Sequence, residues 1–514
     1  MPAFYSANQC CNHNSARILE IAMKDLKEKT IRGGLARLTA QGANFALRTL
    51  SLTVLARLLD PKDFGLVGMV TAFTGVLSLF RDFGLSAASI QRATITEEQL
   101  STLYWINLLV GAILGALVVG LAPAITAFYH EPRLFWVCAV LAAGFLFNAA
   151  GVQHAALLQR QMRFTALSII NMIALIVGTL VAIGGALAGY GYWSLVMMTI
   201  TVPLITTIGC WITSGWVPGR PRRGSGIRSL MRFGGSITVY GLFGYVGTNF
   251  DKVLLGRFWG VDALGLYGRA YQLINIPTDN LNSAAGEVAF SALSRVQNEP
   301  ARLKDYFLKG YSLVLAMTLP ITIVCALFAE DVILVLLGPR WDAAAPIFRL
   351  LAPTILVFAI ANPLSWLLFS IGRVGRLLKM SLIITPLMIA GYFVGLPYGP
   401  KGVACAYSAV MLLWIVPAVV WAVHDTSISF SDILLSVKWS LLSSVVAAGF
   451  AFGVRALYGQ SLAPLHRLIL EGFVMFIVYV GMLFSDAGQK SFYLELVRGL
   501  RGGPPVKEKD LVSG

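Results

Sequence analysis

Arg48, Lys252 and Arg269 are the residues of this 514-residue chain that most need a chemical explanation, because each lies inside a long apolar segment. A charged side chain at the centre of a bilayer costs about 2.5 to 3.5 kcal/mol on insertion scales, so one retained there has a task. Gln41 and Asn44 precede Arg48 at spacings that set all three near one helical face. Asn249 and Asp251 precede Lys252, and Gln272 and Asn275 follow Arg269. Carboxylates accompany the cations: Asp82 beside Arg81, then Asp251, Asp279 and Glu287, with Asn280 and Asn282 nearby. Such a set has two uses. Opposite charges can pair and fix helix packing. Alternatively, the cations hold an anionic head group in a water-filled cavity while Asp82, Asp251, Asp279 or Glu287 takes up a proton or a cation.

Other chemistries find no support. The chain has no Gly-Lys dipeptide, so the phosphate-binding loop of ATPases is absent. The histidines His13, His130, His154, His424 and His466 are scattered, with no HExxH and no triad. His154, beside Gln153 in an apolar segment, is expected to face the bundle and be hydrogen-bonded. Cys10, Cys11, Cys138, Cys210, Cys325 and Cys405 form no CxxC and no cluster with histidine, so neither a metal site nor a disulfide framework is indicated. No catalytic residue, metal or cofactor is expected.

The elements that must position these groups follow from composition. Hydrophobic residues make up 57% and charged residues 13%, against about 25% charged in an ordinary soluble domain. A soluble fold could not cover that apolar surface, and crossings of about 20 residues leave room for only short loops. The pattern is that of an all-α polytopic membrane protein with about 14 transmembrane helices. Crossings are expected near 36–58, 64–85, 101–122, 134–158, 165–188 and 190–212, then near 233–258, 264–290, 306–329, 344–369, 377–397 and 402–423, with a further pair near 433–456 and 464–484. These give a leader (1–33), a six-helix lobe (34–212), a basic linker (213–232), a second six-helix lobe (233–424), an extra helix pair (425–485) and a tail (486–514).

Loop charge orients the chain. Lys and Arg total 40 against 25 Asp and Glu, a net +15. The basic segments, including Arg160 and Arg163, Arg220 to Arg232, Arg295 to Lys309, Arg373 to Lys379 and the tail, alternate with nearly uncharged loops, as the positive-inside rule requires. Both termini, the leader, the linker and the tail are therefore expected on the cytoplasmic side, and the basic stretch around Arg222 is an orientation signal rather than a nucleic-acid site. The leader has no secretory signal. Its basic run from Met23, MKDLKEKTIRGG, reads as an alternative start. Pro277, Pro320, Pro353 and Pro363 fall within or near crossings, where each frees a backbone carbonyl, and Gly241, Gly244 and Gly247 leave one helix face nearly bare.

The two lobes share a repeat. Residues 57–68 read RLLDPKDFGLVG and residues 257–268 read RFWGVDALGLYG, so Arg57, Gly65, Leu66 and Gly68 recur as Arg257, Gly265, Leu266 and Gly268 at an offset of 200. Each copy joins the first helix of its lobe to the second. An even number of crossings separates the copies, so the lobes are parallel repeats, a construction common among transporters.

The stretches RLLDPKDFGLVGMV, FRDFGLSAASIQR, NFDKVLLGRFWGVDALGLYGRAYQL and FSALSRVQNEPARL resemble bacterial polysaccharide flippases of the Wzx type, in the polysaccharide transporter family of the multidrug/oligosaccharidyl-lipid/polysaccharide exporter superfamily, with closest likeness to the colanic-acid branch. The resemblance covers residues 24–485. It implies a non-enzymatic, V-shaped pair of lobes in the bacterial inner membrane that opens alternately to each side. It also implies a substrate, an oligosaccharide repeat unit on undecaprenyl pyrophosphate, with membrane lipids around it and a polysaccharide polymerase and chain-length regulator as partners. On this view Arg48, Lys252 and Arg269 hold the pyrophosphate, Gln41, Asn44, Asn249, Gln272 and Asn275 line the cavity, and Asp82, Asp251, Asp279 or Glu287 couples an ion. A peptidoglycan lipid precursor or a drug as substrate, and a membrane glycan polymerase or ligase, are the alternatives. The last would want a sizeable outward loop, and the longest here, near Glu330 to Asp342, is short.

Overall fold

A computed structural model describes residues 42–80, 96–221, 228–458 and 462–485. The leader, the tail, Gln41 and Asp82 lie outside the described residues, as do the side chains of Asp279 and Glu287. The described chain is helical: α1 (42–58), α2 (Pro61–Leu79), α3 (Glu97–Tyr129), α4 (Leu134–Arg160), α5 (Phe164–Leu187), α6 (Tyr192–Ser214), α7 (Arg228–Arg295), α8 (Pro300–Leu327), α9 (Ala329–Leu336), α10 (Ala345–Leu351), α11 (Pro353–Ser370), α12 (Val374–Gly395), α13 (Gly399–Val423), α14 (Phe430–Tyr458) and α15 (Pro464–Ser485). Ten candidate spans among the described residues are long and apolar enough to cross a membrane, one of them, Val374–Val423, running through two consecutive helices. The chain is a multi-pass membrane protein; the figure of fourteen crossings is not fixed by that tally.

Local chemistry sets the helix ends. Thr96 and Gln99 cap α3 reciprocally, each side chain 3.2 Å from the other's backbone nitrogen. Asp63 does the same for the Asp60 N–H at 3.1 Å, with Pro61 opening α2. The crossings expected at 233–258 and 264–290 are two arms of α7, which no polar loop separates. The chain bends at Gly260, whose φ of 80° only glycine adopts without strain. The crossing expected at 344–369 is split at Pro353 into α10 and α11. The segment from Glu330 to Asp342 is folded as α9 and a 3₁₀ turn, Pro339–Ala344.

In lipid, apolar surface does not drive helices together, so close packing must. The repeat provides it. A Cβ on Gly65 would lie 1.8 Å from the Val261 carbonyl oxygen, and a Cβ on Gly265 would lie 1.9 Å from the Pro61 carbonyl oxygen. With the offset of 200, residue 65 meets the counterpart of 61, and the counterpart of 65 meets 61. The contact is therefore isologous about an internal two-fold, and α2 lies backbone to backbone on the second arm of α7. The 3₁₀ turn and α9 reinforce this end. Arg57 donates to the Val335 carbonyl at 2.7 Å, the buried Trp341 indole donates to the Ala56 carbonyl at 2.8 Å, and Arg340 meets Asp60 at 3.2 Å.

The extra pair, α14 and α15, docks on α8 and α9. Pro320 removes the N–H that would bind the Ala316 carbonyl, and the buried Tyr479 hydroxyl of α15 donates to that oxygen at 2.8 Å instead. Asp331 of α9 is fully buried and pairs with Arg467, and with Arg455 at 3.2 Å.

Two outcomes are expected. Gly65→Ala or Gly265→Ala should lengthen the distance between spin labels at Lys62 and Asp262, read by pulsed electron resonance; an unchanged distribution would mean that the close approach does not keep this end shut. Tyr479→Phe should cost about 1 to 3 kcal/mol of stability by leaving a buried carbonyl unpaired. That cost should largely vanish in a Pro320→Ala background, where the restored N–H binds Ala316, and a double-mutant cycle of thermal unfolding measures the difference.

Candidate functional site

Below the glycine contact the helices diverge around a cleft of about 1030 Å³. Helical spacing brings one face of each wall into it: Arg48, Ser51 and Leu55 on α1, Phe64 and Thr71 on α2, Asn249 and Lys252 on the first arm of α7, Arg269, Gln272 and Asn275 on the second. The three cations singled out from the sequence thus share one cavity, together with three of the expected polar residues, Asn249, Gln272 and Asn275. Asn44 sits on α1 outside the lining.

Neutral groups hold the cations. The Lys252 ammonium donates to Asn249 Oδ1 at 2.6 Å and to the Thr248 carbonyl at 3.3 Å, and lies 4.3 Å from the centre of the Tyr271 ring. Arg269 donates to Gln272 and stacks 3.8 Å over Phe64, reaching across from α7 to α2. Among the described residues no ion pair joins Arg48, Lys252 or Arg269 to a carboxylate, and no Asp or Glu lines the cleft. Asp251 and Lys252, though adjacent in the chain, form no direct ion pair and bond to different partners.

Asp251 is instead fully buried behind the wall. The hydroxyl of the buried Tyr267 donates to its Oδ2 at 2.6 Å, and the Lys252 backbone N–H donates to its Oδ1 at 2.8 Å. Tyr267 escaped sequence reasoning because it reads as one more aromatic in the repeat. At the shut end, outside the helices, Arg133 grips Glu131 at 2.7 and 3.0 Å and keeps its carboxyl below the usual range.

The sequence reading also missed a second wall. Asn148 of α4, Asn171 of α5, and Thr199 and Thr206 of α6 face the cleft. Their only signal was uncharged polar residues in otherwise apolar helices, which is weak. His154 faces the bundle, as expected, with the backbone of Ala150 and Trp216 beside its ring. It is buried and stacks on Trp211 with ring centres 4.4 Å apart, Trp216 at 5.1 Å beside it, so an aromatic cage holds it. Among the described residues no group of His, Cys, Asp and Glu could hold a metal ion.

Fold and cleft define a polytopic helical membrane protein built around a cationic central cavity. The chain belongs to the family described as polysaccharide biosynthesis protein, whose pattern it matches over residues 54–346. It is 27% identical over 376 residues to the lipopolysaccharide biosynthesis protein WzxC of Escherichia coli K12, covering 72% of this chain and 76% of that one. To the teichuronic acid biosynthesis protein TuaB of Bacillus subtilis 168 it is 30% identical over 305 residues, 57% of this chain and 61% of the other. Its fold is similar to that of the lipid II flippase MurJ in an inward closed conformation, with a TM-score of 0.72 at 13% identity over 90% of this chain and 99% of that chain. It is also similar to an inward-facing multidrug resistance MATE family transporter of the MOP superfamily, with a TM-score of 0.61 at 16% identity over 79% and 99%.

Tyr267→Phe should lower stability by about 1 to 3 kcal/mol, because it strips a buried carboxylate of its hydroxyl donor. Thermal unfolding of the purified protein measures this, and an unshifted midpoint would mean that the bond is not needed to keep Asp251 behind the wall.

Proposed function

We propose that this protein flips undecaprenyl-pyrophosphate-linked oligosaccharide repeat units across the bacterial inner membrane by alternating access, supplying exopolysaccharide, capsule or lipopolysaccharide synthesis. The observation that carries the reading is a cleft with three cations and no carboxylate among its described lining residues. A pyrophosphate diester is the kind of anion such a site suits, since guanidinium and ammonium groups bind phosphoryl oxygens through charge-assisted hydrogen bonds. The names of the relatives in polysaccharide synthesis point the same way. A cationic drug would favour a carboxylate-lined cavity, which counts against an exporter of that kind. No bond is made or broken, so the protein acts as a transporter rather than an enzyme.

In this proposal the six-helix units 34–212 and 233–424 rock against each other, and the isoprenoid tail stays in lipid while the head crosses. Both termini lie in the cytoplasm, which makes the glycine contact the periplasmic closure and the cleft a cytoplasm-facing site. Asp251 takes up a proton from behind the cationic wall, with Asp82, Asp279 and Glu287 as the other coupling candidates. A polysaccharide polymerase and chain-length regulator take over the released unit.

Arg48→Ala, Lys252→Ala and Arg269→Ala should each abolish translocation of labelled lipid-linked oligosaccharide in proteoliposomes while leaving the amount of folded protein unchanged. Full activity in all three would refute the cationic site, and growth of the glycan chain in place of translocation would reveal a polymerase. Asp251→Asn should remove any acceleration by an imposed pH gradient.

A further inference from the structure

Charge in the cleft is confined to some of its walls. The cations come from α1 and α7, whereas the facing wall, from α4, α5 and α6, contributes Asn148, Asn171, Thr199 and Thr206 and no charged residue among those described. The cations also differ in depth from Asn148, Asn171 and Thr206. The helix ends at the glycine contact share one level: Arg257 beyond Lys252 meets His130 at 2.9 Å in the turn before α4, and Gly191, between α5 and α6, lies against Asp63. At about 1.5 Å per residue from that level, Lys252, Arg269 and Arg48 lie about 10 to 15 Å down their helices. Asn148, Asn171 and Thr206 lie about 20 to 24 Å down theirs. The cations thus sit nearer the blind end than Asn148, Asn171 and Thr206, whereas Thr199, about 10 Å down its helix, is level with the cations.

Helix glue does not account for this wall. Interhelical amides and hydroxyls earn their place by bonding across to a neighbour, yet Asn171 and the Thr206 hydroxyl have no hydrogen bond among the described residues. Among the described residues Asn148 and Thr199 bond only within their own helices, to Gly144 at 2.8 Å and Leu195 at 2.8 Å. Asn148 keeps its amide oxygen, and Asn171 its whole amide, for another partner. Groups that both donate and accept, without charge, match an alcohol-rich surface in which each hydroxyl does the same.

We propose that Asn148, Asn171 and Thr206 form a saccharide subsite, separate from the cationic one, that binds the hydroxyl groups of uncharged sugars proximal to the pyrophosphate. This rests on the lipid-linked oligosaccharide reading above. It makes the site bipartite: the pyrophosphate lies against Arg48, Lys252 and Arg269, and the first sugars lie against the amide wall toward the mouth.

The test measures binding of two synthetic probes of equal charge, the methyl diester of undecaprenyl pyrophosphate and undecaprenyl pyrophosphate glucoside, to the full-length protein in nanodiscs. The wild type should bind the glucoside more tightly. Asn171→Leu combined with Thr206→Val should weaken glucoside binding by about tenfold or more, the loss of two or so hydrogen bonds, and leave the unglycosylated probe unchanged. Lys252→Ala should weaken both probes by the same factor. Equal loss for both probes in the double variant, unchanged glucoside binding, or no wild-type preference for the glucoside would each overturn the subsite. Failure of the wild type to bind the unglycosylated probe would overturn the cationic site, and the subsite with it, and is a different result from lost discrimination. Asn148→Ala, on another helix, gives the same readout should the double variant not fold.

Discussion

The structure depends on the close approach of two helix backbones at Gly65 and Gly265. Any side chain there would drive its Cβ into a carbonyl oxygen of the other segment. Because the two glycines are equivalent in the repeat, each contact requires the other. One end of the cleft is shut, and Phe64, one residue before Gly65, is brought beneath the Arg269 guanidinium. A symmetric contact of this kind can part about its own axis without leaving one side packed and the other strained. Its interaction is largely van der Waals contact between backbones, strong only at this separation and quickly lost on opening.

That closure creates an electrostatic problem the cleft does not solve by itself. Retaining a charge at mid-bilayer costs about 2.5 to 3.5 kcal/mol. Amide oxygens, a carbonyl and aromatic faces solvate Lys252 and Arg269 without cancelling their charge, while Tyr267 and a backbone N–H bind the nearest carboxylate, Asp251, behind the wall. A positive potential is left in the cavity. A unit negative charge about 4 Å from one cation gains about 4 kcal/mol at an effective dielectric of 20, comparable to the cost of keeping that cation in place. Had Asp251 paired with Lys252, Arg48 and Arg269 would still carry their charge, and the gain would shrink only beside Lys252.

Much of this was legible in the sequence, for physical reasons. Helix positions follow from hydropathy, because a membrane helix must satisfy its own backbone and its length is set by the bilayer. The cations stood out because charge in an apolar segment is rare. The repeat was visible because a backbone contact tolerates only glycine, and Gly65 and Gly265 could not drift. What stayed hidden depended on partners far away in the chain. Asn171 is an ordinary amide until α5 turns it toward the cleft, Tyr267 an ordinary aromatic until it meets Asp251, and Trp341 a loop residue until its indole reaches Ala56. The stacking of His154 on Trp211 was equally hidden, because its partner lies 57 residues away in the chain. Gly260 hid a helix bend because two crossings joined by one residue look like two helices.

The short helix α9 shows which surfaces must separate if the closed end opens. One side of it and of the following turn touches the end of α1 and the turn into α2, through Val335, Arg340 and Trp341. The other side is tied to α14 and α15 through Asp331, and the start of α14 is tied back to α8 by Lys304 and Asp432 at 2.7 Å. These attachments are unequal. Arg340 and Asp60 are about half exposed, and such pairs contribute about 0 to 1 kcal/mol. Asp331 is 1% exposed, and removing a partner from a buried pair costs about 3 to 5 kcal/mol. The Tyr479 bond to the carbonyl freed by Pro320 adds a further buried tie on the same side. The buried Trp341 indole on the Ala56 carbonyl and the Arg57 bond to Val335 hold α9 and its turn to the end of α1 as well, so this short helix is tied on both sides.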